Sequence, residues 1–216
     1  RQDLEEIAKV ISQHDHVMVM MDDIYEHILF DHNQFCTLVQ IDQSLKNRVL
    51  TVNGVSKSYA MTGWRIGYGA GPKKLIKAMS IIQSQSTSNP CSISQYAAIA
   101  ALHSDQNWLK SNKETLAIRR DLVMNLVAKV NGLHCRKPSG AFYLMLNCQN
   151  FISKTTEKKI ASSSDFAQYL LEDALVATVP GEAFGAPGFI RISYATSIEK
   201  IQEAFVRISE SCKKLL

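Results

Sequence analysis

The chain has 216 residues, 46% of them apolar and 20% charged, with a net charge of +4. That balance excludes a disordered tail, a collagen-like fibre and a low-complexity linker, and the scattered basic residues, with no run and no interleaved aromatics, speak against nucleic-acid binding. No apolar run approaches the length of a bilayer span, so no membrane partner is expected; the five cysteines and six histidines show no disulfide or metal spacing, which fits a reducing, cytoplasmic setting.

In chain order, Leu4, Ile7, Ala8 and Ile11 share one helical face. Residues 16–21 (HVMVMM) read as a short buried strand ending at Asp22, in the manner of a sheet covered on both faces. Residues 48–52 form a second strand closed by Asn53-Gly54, and residues 64–69 (WRIGYG) a third. Pro72 sits where a helix begins, with Leu75, Ile76, Met79 and Ile82 as its core face. After the break at Ser88-Asn89-Pro90, residues 92–103 form a helix of small residues. A long helix follows over 106–131, with Trp108, Leu116 and Val123 among its apolar positions and Gly132 as its cap.

Beyond it the pattern changes. Strands are expected at 142–146, 175–179 and 189–194, and a helix at 164–173 with Phe166, Tyr169 and Leu170 inward. Thr196 and Glu199 form a capping box that opens the last helix, whose core face is Ile198, Ile201, Phe205 and Ile208. The first half thus alternates helices with buried strands and the second is a mixed α+β unit, with the boundary inside the long helix. Trp64 and Tyr68 read as core residues.

The stretch 53–69 carries the most chemistry. Lys57 follows a strand on a loop of small and hydroxylic residues that includes Ser56, and Arg65 comes eight residues later on the next strand. Asp22 and Tyr25, three apart just past another strand end, can point into one crevice. Arg191 stands mid-strand in the apolar segment FIRISY, where a bare guanidinium is costly, so it is either in a buried ion pair or waiting for an anionic ligand.

Together, DDIYEH at 22–27, NGVSKSYAMTGWRIGY at 53–68 and FIRISYA at 189–195 resemble the fold-type I pyridoxal-phosphate aminotransferases, class I/II, of the aspartate aminotransferase superfamily. The resemblance implies an α/β architecture. Residues 1–110 would be the C-terminal part of a large cofactor-binding domain with a mostly parallel sheet, and residues 111–216 a smaller α+β domain. The chain would match the C-terminal portion of a family member. The preceding half would supply the glycine-rich phosphate loop, the aromatic that stacks on the cofactor ring and the group that reads a substrate's distal carboxylate.

The implied cofactor is pyridoxal 5'-phosphate. Lys57 would bond its aldehyde carbon and move the substrate α-proton, and Asp22, chosen over Asp23 by the Asp-x-x-Tyr spacing, would pair with the pyridine nitrogen. Tyr25 would bond the phenolic oxygen, Arg65 and Ser56 would hold the phosphate, and Arg191 would hold the substrate α-carboxylate. The implied reaction transfers an amino group between an aspartate- or glutamate-like L-amino acid and a 2-oxo acid, in a homodimer. The same fold hosts lyases and synthases, and a non-catalytic fragment would keep the same motifs. Gly54 stands where many relatives carry a hydroxyl near the phosphate. Residues 88–90 resemble the segment that reaches the partner subunit, and 137–142 the turn beside the substrate.

Overall fold

In the computed structural model, which describes residues 1–152 and 160–216, the first helix is α1, Gln2–Ser12. Asp3 and Glu5 in its first turn and Lys9 in its last complement the helix dipole. Its buried Ala8 packs with Leu38, Leu45 and Val49, and Ile11, Val19 and Met21 join the cluster. Arg48 closes the C-terminal end of α1, donating from Nη1 to the carbonyls of Ile11 (3.3 Å), His14 (2.7 Å) and Val17 (3.3 Å). This explains why strand β1 covers only Val19–Asp22 rather than starting at residue 16. Residues 14–17 form a turn, and the Val17 carbonyl goes to Arg48 instead of a strand ladder.

The short helix α2, Leu38–Ile41, leads into β2, Val49–Gly54. β2 pairs parallel with β1, Asp22 opposite Val52, and antiparallel with β3, Gly67–Ala70, Gly54 opposite Gly67. The three-stranded sheet is therefore mixed, in the order β1-β2-β3. The third strand is shorter than expected: residues 62–64 form a 3₁₀ turn, and Trp64, Arg65 and Ile66 precede the ladder. Trp64 and Tyr68 are both exposed, contrary to the expectation that they lie in the core.

Helix α3, Lys73–Ser86, follows Pro72, and α4 covers Ser92–His103. Of the expected core face of α3, Leu75 and Ile76 are half-buried, whereas Met79 and Ile82 are exposed. Ile93, Tyr96 and Ile99 of α4 are exposed too. Ala98 turns inward onto Val55 and Tyr59.

The chain divides into two compact units, Arg1–Ser111 and Asn112–Leu216, with the division inside α5, Asn107–Val127. In the second unit, Leu116, Arg120, Val123 and Val127 line the buried stripe of α5. The helix ends at Val127, earlier than expected, because a series of turns follows before Gly132, which takes φ +90°. Four antiparallel strands lie in the order β4-β5-β7-β6: β4 His134–Cys135, β5 Tyr143–Asn147, β6 Val179–Pro180 and β7 Phe189–Ser193.

Only Val179 of the expected 175–179 strand joins that sheet. Leu175 adopts φ +54° and leaves the extended path. Helix α6, Ser163–Asp173, buries Phe166, Tyr169 and Leu170, and the Phe166 ring stacks on Phe151 at 5.0 Å. Helix α7, Ile198–Lys213, is capped by Ser197, not Thr196; the Ser197 hydroxyl accepts from the Lys200 amide at 3.3 Å. Ile201, Phe205 and Ile208 are buried, but Ile198 in the first turn is exposed. The end of α7 is tied to α6 through Asp173, which accepts from Ser211 Oγ at 2.6 Å and Lys214 Nζ at 2.8 Å.

Candidate active site

Because β1 and β2 run parallel, they end side by side, and the last backbone bond between them runs from the Asp23 amide to the Val52 carbonyl at 2.9 Å. The carboxyl ends of parallel strands are the usual place for a ligand crevice in an α/β sheet. Asp22 is exposed there, and its Oδ1 accepts from the Ile24 amide at 3.3 Å. Asp23 turns the other way, 6% exposed, and burial pushes its carboxyl above the ordinary range. The two adjacent carboxyls are thus separated by strand alternation, and Asp22 is the one left open to a ligand. The turn that follows, held by the Ile28 amide on the Tyr25 carbonyl at 2.9 Å, carries a half-buried Tyr25.

The chain leaving β2 turns at once. The Tyr59 amide bonds the Val55 carbonyl, and the Ala60 amide bonds the Lys57 carbonyl, both at 3.2 Å. Val55 and Ser58 are buried, and the Tyr59 hydroxyl donates to Gln106 Oε1 at 2.8 Å. Ser56 and Lys57 are half-buried on this anchored turn. Gly54 is explained by packing: a Cβ there would come within 3.1 Å of the Ile66 carbonyl oxygen and 3.2 Å of Ile24 Cδ1. A hydroxyl-bearing residue would need both neighbours to move.

Arg65 is not on a strand. It closes the 3₁₀ turn with φ +52°, and its Nη1 donates to the Thr62 carbonyl at 2.9 Å. Since β3 begins opposite Gly54, Arg65 stands at the same sheet end as the Lys57 turn. Asp22, Tyr25, Ser56, Lys57 and Arg65 therefore converge on one end of one three-stranded sheet.

Arg191 belongs to the second unit. It lies on β7, half-buried, opposite Met145 of β5 on one side and Val179 of β6 on the other. Its Cζ sits 4.3 Å from the Tyr143 ring centroid and 4.2 Å from that of Phe184. Among the described residues, no carboxylate lies within ion-pair distance of Lys57, Arg65 or Arg191.

The turn at 138–141 is gripped from beneath. Arg120, 1% exposed, donates to the Pro138 carbonyl at 3.3 Å and to Asp121 Oδ1 at 2.9 Å, and the Tyr194 hydroxyl donates to the Ala141 carbonyl at 3.0 Å. Neither Arg120 nor the two rings on Arg191 stood out in the sequence. Arg120 falls on the apolar stripe of α5 four residues after Leu116, and a cation at such a position is the available signal. Tyr143 and Phe184 are 48 and 7 residues from Arg191, the first brought there by strand register and the second by the 3₁₀ turn after β6. No group of three or more His, Cys, Asp or Glu among the described residues is placed to hold a metal ion, and no helix among them is long and apolar enough to cross a membrane.

Comparison with known proteins gives a consistent picture. Residues 1–208 match the family model described as aminotransferase class I and II. A probable aspartate/prephenate aminotransferase of Rickettsia felis is 57% identical over 213 residues, 98% of this chain and 52% of that protein. The crystal structure of the aspartate aminotransferase from Rhizobium meliloti superposes with a TM-score of 0.92 at 52% identity, covering 96% of this chain and 52% of that one. The Thermus thermophilus aspartate aminotransferase with maleate gives a TM-score of 0.84 at 38% identity, covering 98% and 52%. The chain spans about half the length of the curated relatives it matches. With residues 1–208 covered by the family model and relatives more than half identical over nearly its whole length, the chain belongs to the class I and II aminotransferases.

Proposed function

We propose that this chain carries the lysine-bearing portion of an aminotransferase that moves an amino group between an aspartate- or glutamate-like L-amino acid and a 2-oxo acid. The observation that carries the reading is the convergence of Lys57, Asp22, Tyr25 and Arg65 on one sheet end, with both cations lacking a carboxylate partner among the described residues. The names of the relatives, aspartate and aspartate/prephenate aminotransferases, support the substrate class. The exposed apolar residues of α4 support a covered interface, in keeping with a homodimeric cytoplasmic enzyme whose cofactor-binding domain includes residues 1–110 and whose small domain is 111–216.

The family's cofactor is pyridoxal phosphate, and the donor set fits it: an amine, a carboxylate, a phenol and a guanidinium at one sheet end. When bound, that group supplies an electron sink for the bond broken at the substrate α-carbon. Lys57 is the residue that would anchor the aldehyde carbon, and its released Nζ would take the α-proton and return it to the carbon that gains hydrogen. Asp22, open at the end of β1, would accept a hydrogen bond from the ring nitrogen and keep that nitrogen protonated. Tyr25 would donate to the phenolic oxygen. The planar fork of Arg65 suits the phosphate, with Ser56 as a further donor. Arg191 would bind the substrate α-carboxylate.

The experiment is borohydride reduction of the cofactor-loaded protein, followed by peptide mapping, in wild type and Lys57→Ala. A reduced adduct on Lys57, with loss of turnover in the variant, is expected. Retained turnover in Lys57→Ala would sink the assignment.

A further inference from the structure

Among the described residues, two aromatic rings lie over the Arg191 guanidinium. The Tyr143 ring comes from β5, a neighbour of β7, and the Phe184 ring from the 3₁₀ turn Gly181–Phe184 that follows β6. Strand register explains the first: Tyr143 and Met145 point to the same face of β5, and Met145 is opposite Arg191. Tyr143 is braced in turn by Phe142, ring centroids 4.7 Å apart. Phe184 is 45% exposed, an open position for so large an apolar side chain, and its face is spent on a cation rather than on the core.

We infer that Tyr143 and Phe184 are positioning residues that hold the Arg191 guanidinium ready for a carboxylate. The inference rests on the reading of Arg191 as the substrate-carboxylate residue. A guanidinium held over ring faces is attracted by the ring quadrupoles and uses none of its N–H donors in that attraction. Its edge keeps two parallel N–H groups for a bidentate carboxylate. A protein carboxylate would also hold the side chain, but it would occupy the same donors and compete with the substrate. Aromatic faces order the cation without competing. They also restrict the long arginine side chain before the ligand arrives, so less rotamer freedom is lost on binding.

The test uses the cofactor-loaded holoenzyme and maleate, an unreactive dicarboxylate, as the probe. Phe184→Leu and Tyr143→Leu remove the ring face at similar bulk, and Phe184→Tyr and Tyr143→Phe keep it. Each leucine variant is expected to raise the maleate Kd by about three- to tenfold, and the double variant by the product of the two. The loss for L-aspartate should fall on KM more than on kcat, and the ring-retaining variants should stay near wild type. Because Phe184 is on the surface, its truncation opens no core cavity, so Phe184→Leu keeps the test decisive even if Tyr143→Leu is poorly folded. If the leucine variants bind maleate as wild type does while Arg191→Lys binds it poorly, the rings do not position the arginine and the inference is overturned, leaving the proposed function standing. If Arg191→Lys also binds maleate normally, the carboxylate role of Arg191 itself is wrong.

Discussion

Replacing Gly181 with alanine tests how firmly the turn beneath Phe184 is built. Gly181 is buried, and a Cβ there would run into the carbonyl oxygens of Ala186 and Phe189, the latter at 2.6 Å. Neither oxygen can step aside cheaply: the Ala186 amide is bonded to the Gly181 carbonyl at 2.9 Å, and Phe189 is in register with Asn147 on the central strand β7. The clash is with backbone, so the cost falls at the upper end for overpacking, about 3 kcal/mol. At about 2–4 °C per kcal/mol for a chain of this size, Tm should drop by about 6–12 °C.

Gly185 is the control. A Cβ there meets nothing within 4 Å, and only its φ of +66° resists alanine, at about 1 kcal/mol and so about 2–4 °C. Thermal unfolding of both variants, with maleate titration of each holoenzyme, is the assay. Gly181→Ala should also weaken maleate binding, since Phe184 is three residues on, while Gly185→Ala should not. A Gly181→Ala variant that loses no more Tm than Gly185→Ala would refute the packing argument. A large Tm loss with unchanged maleate affinity would refute the link to Phe184.

Two further outcomes are expected. Burial raises the Asp23 carboxyl, so the folded state holds that proton more tightly than the unfolded state does; ionising it therefore costs stability above its raised value and nothing below the ordinary one. Asp23→Asn should accordingly stabilise the protein at about pH 7 and lose that advantage towards about pH 3, as checked by denaturant unfolding at both pH values. Thiol reactivity should be ordered: burial pushes Cys148 up to about 11 and Cys212 up to about 12, whereas exposed Cys91, with its thiol lowered by hydrogen bonds from the Ser94 and Ile93 backbone, should alkylate first. Mass spectrometry of the native protein with iodoacetamide should find Cys91 labelled while Cys148 and Cys212 are protected until unfolding; early labelling of Cys148 would contradict the packing of the second unit.

Periodicity made α6 legible because the helix buries a stripe that includes Phe166 and Leu170, and it overreached at α3, where Met79 and Ile82 keep the spacing but are exposed. Strand limits were less legible, since they depend on where a carbonyl goes rather than on how apolar a residue is. Val17 is apolar, but its carbonyl belongs to Arg48, and Leu175 is apolar but left-handed. The lysine motif was readable because its chemistry lies on one continuous stretch. The aromatic surroundings of Arg191 were not, because Tyr143 comes from a strand 48 residues away and Phe184 from a turn whose path the sequence pattern does not reveal. The family resemblance, through its Asp-x-x-Tyr spacing, favoured Asp22 over Asp23, and the structure separates the two physically: one carboxyl faces out and the other is buried.

The placement of Arg191 on a central strand has a consequence for error. Ile190 and Ile192 are buried on either side of it, and partners on both flanks fix the same register. A slip of one residue would drive the guanidinium into the core and turn two isoleucines outward. The guanidinium therefore has no near-miss positions: it is set by counting along a ladder, so its failures come as whole misfolded states rather than as gradual drift. A loop-borne arginine could wander by an ångström and still fold. This one cannot, and substitutions elsewhere in the sheet should either leave it in place or remove it altogether.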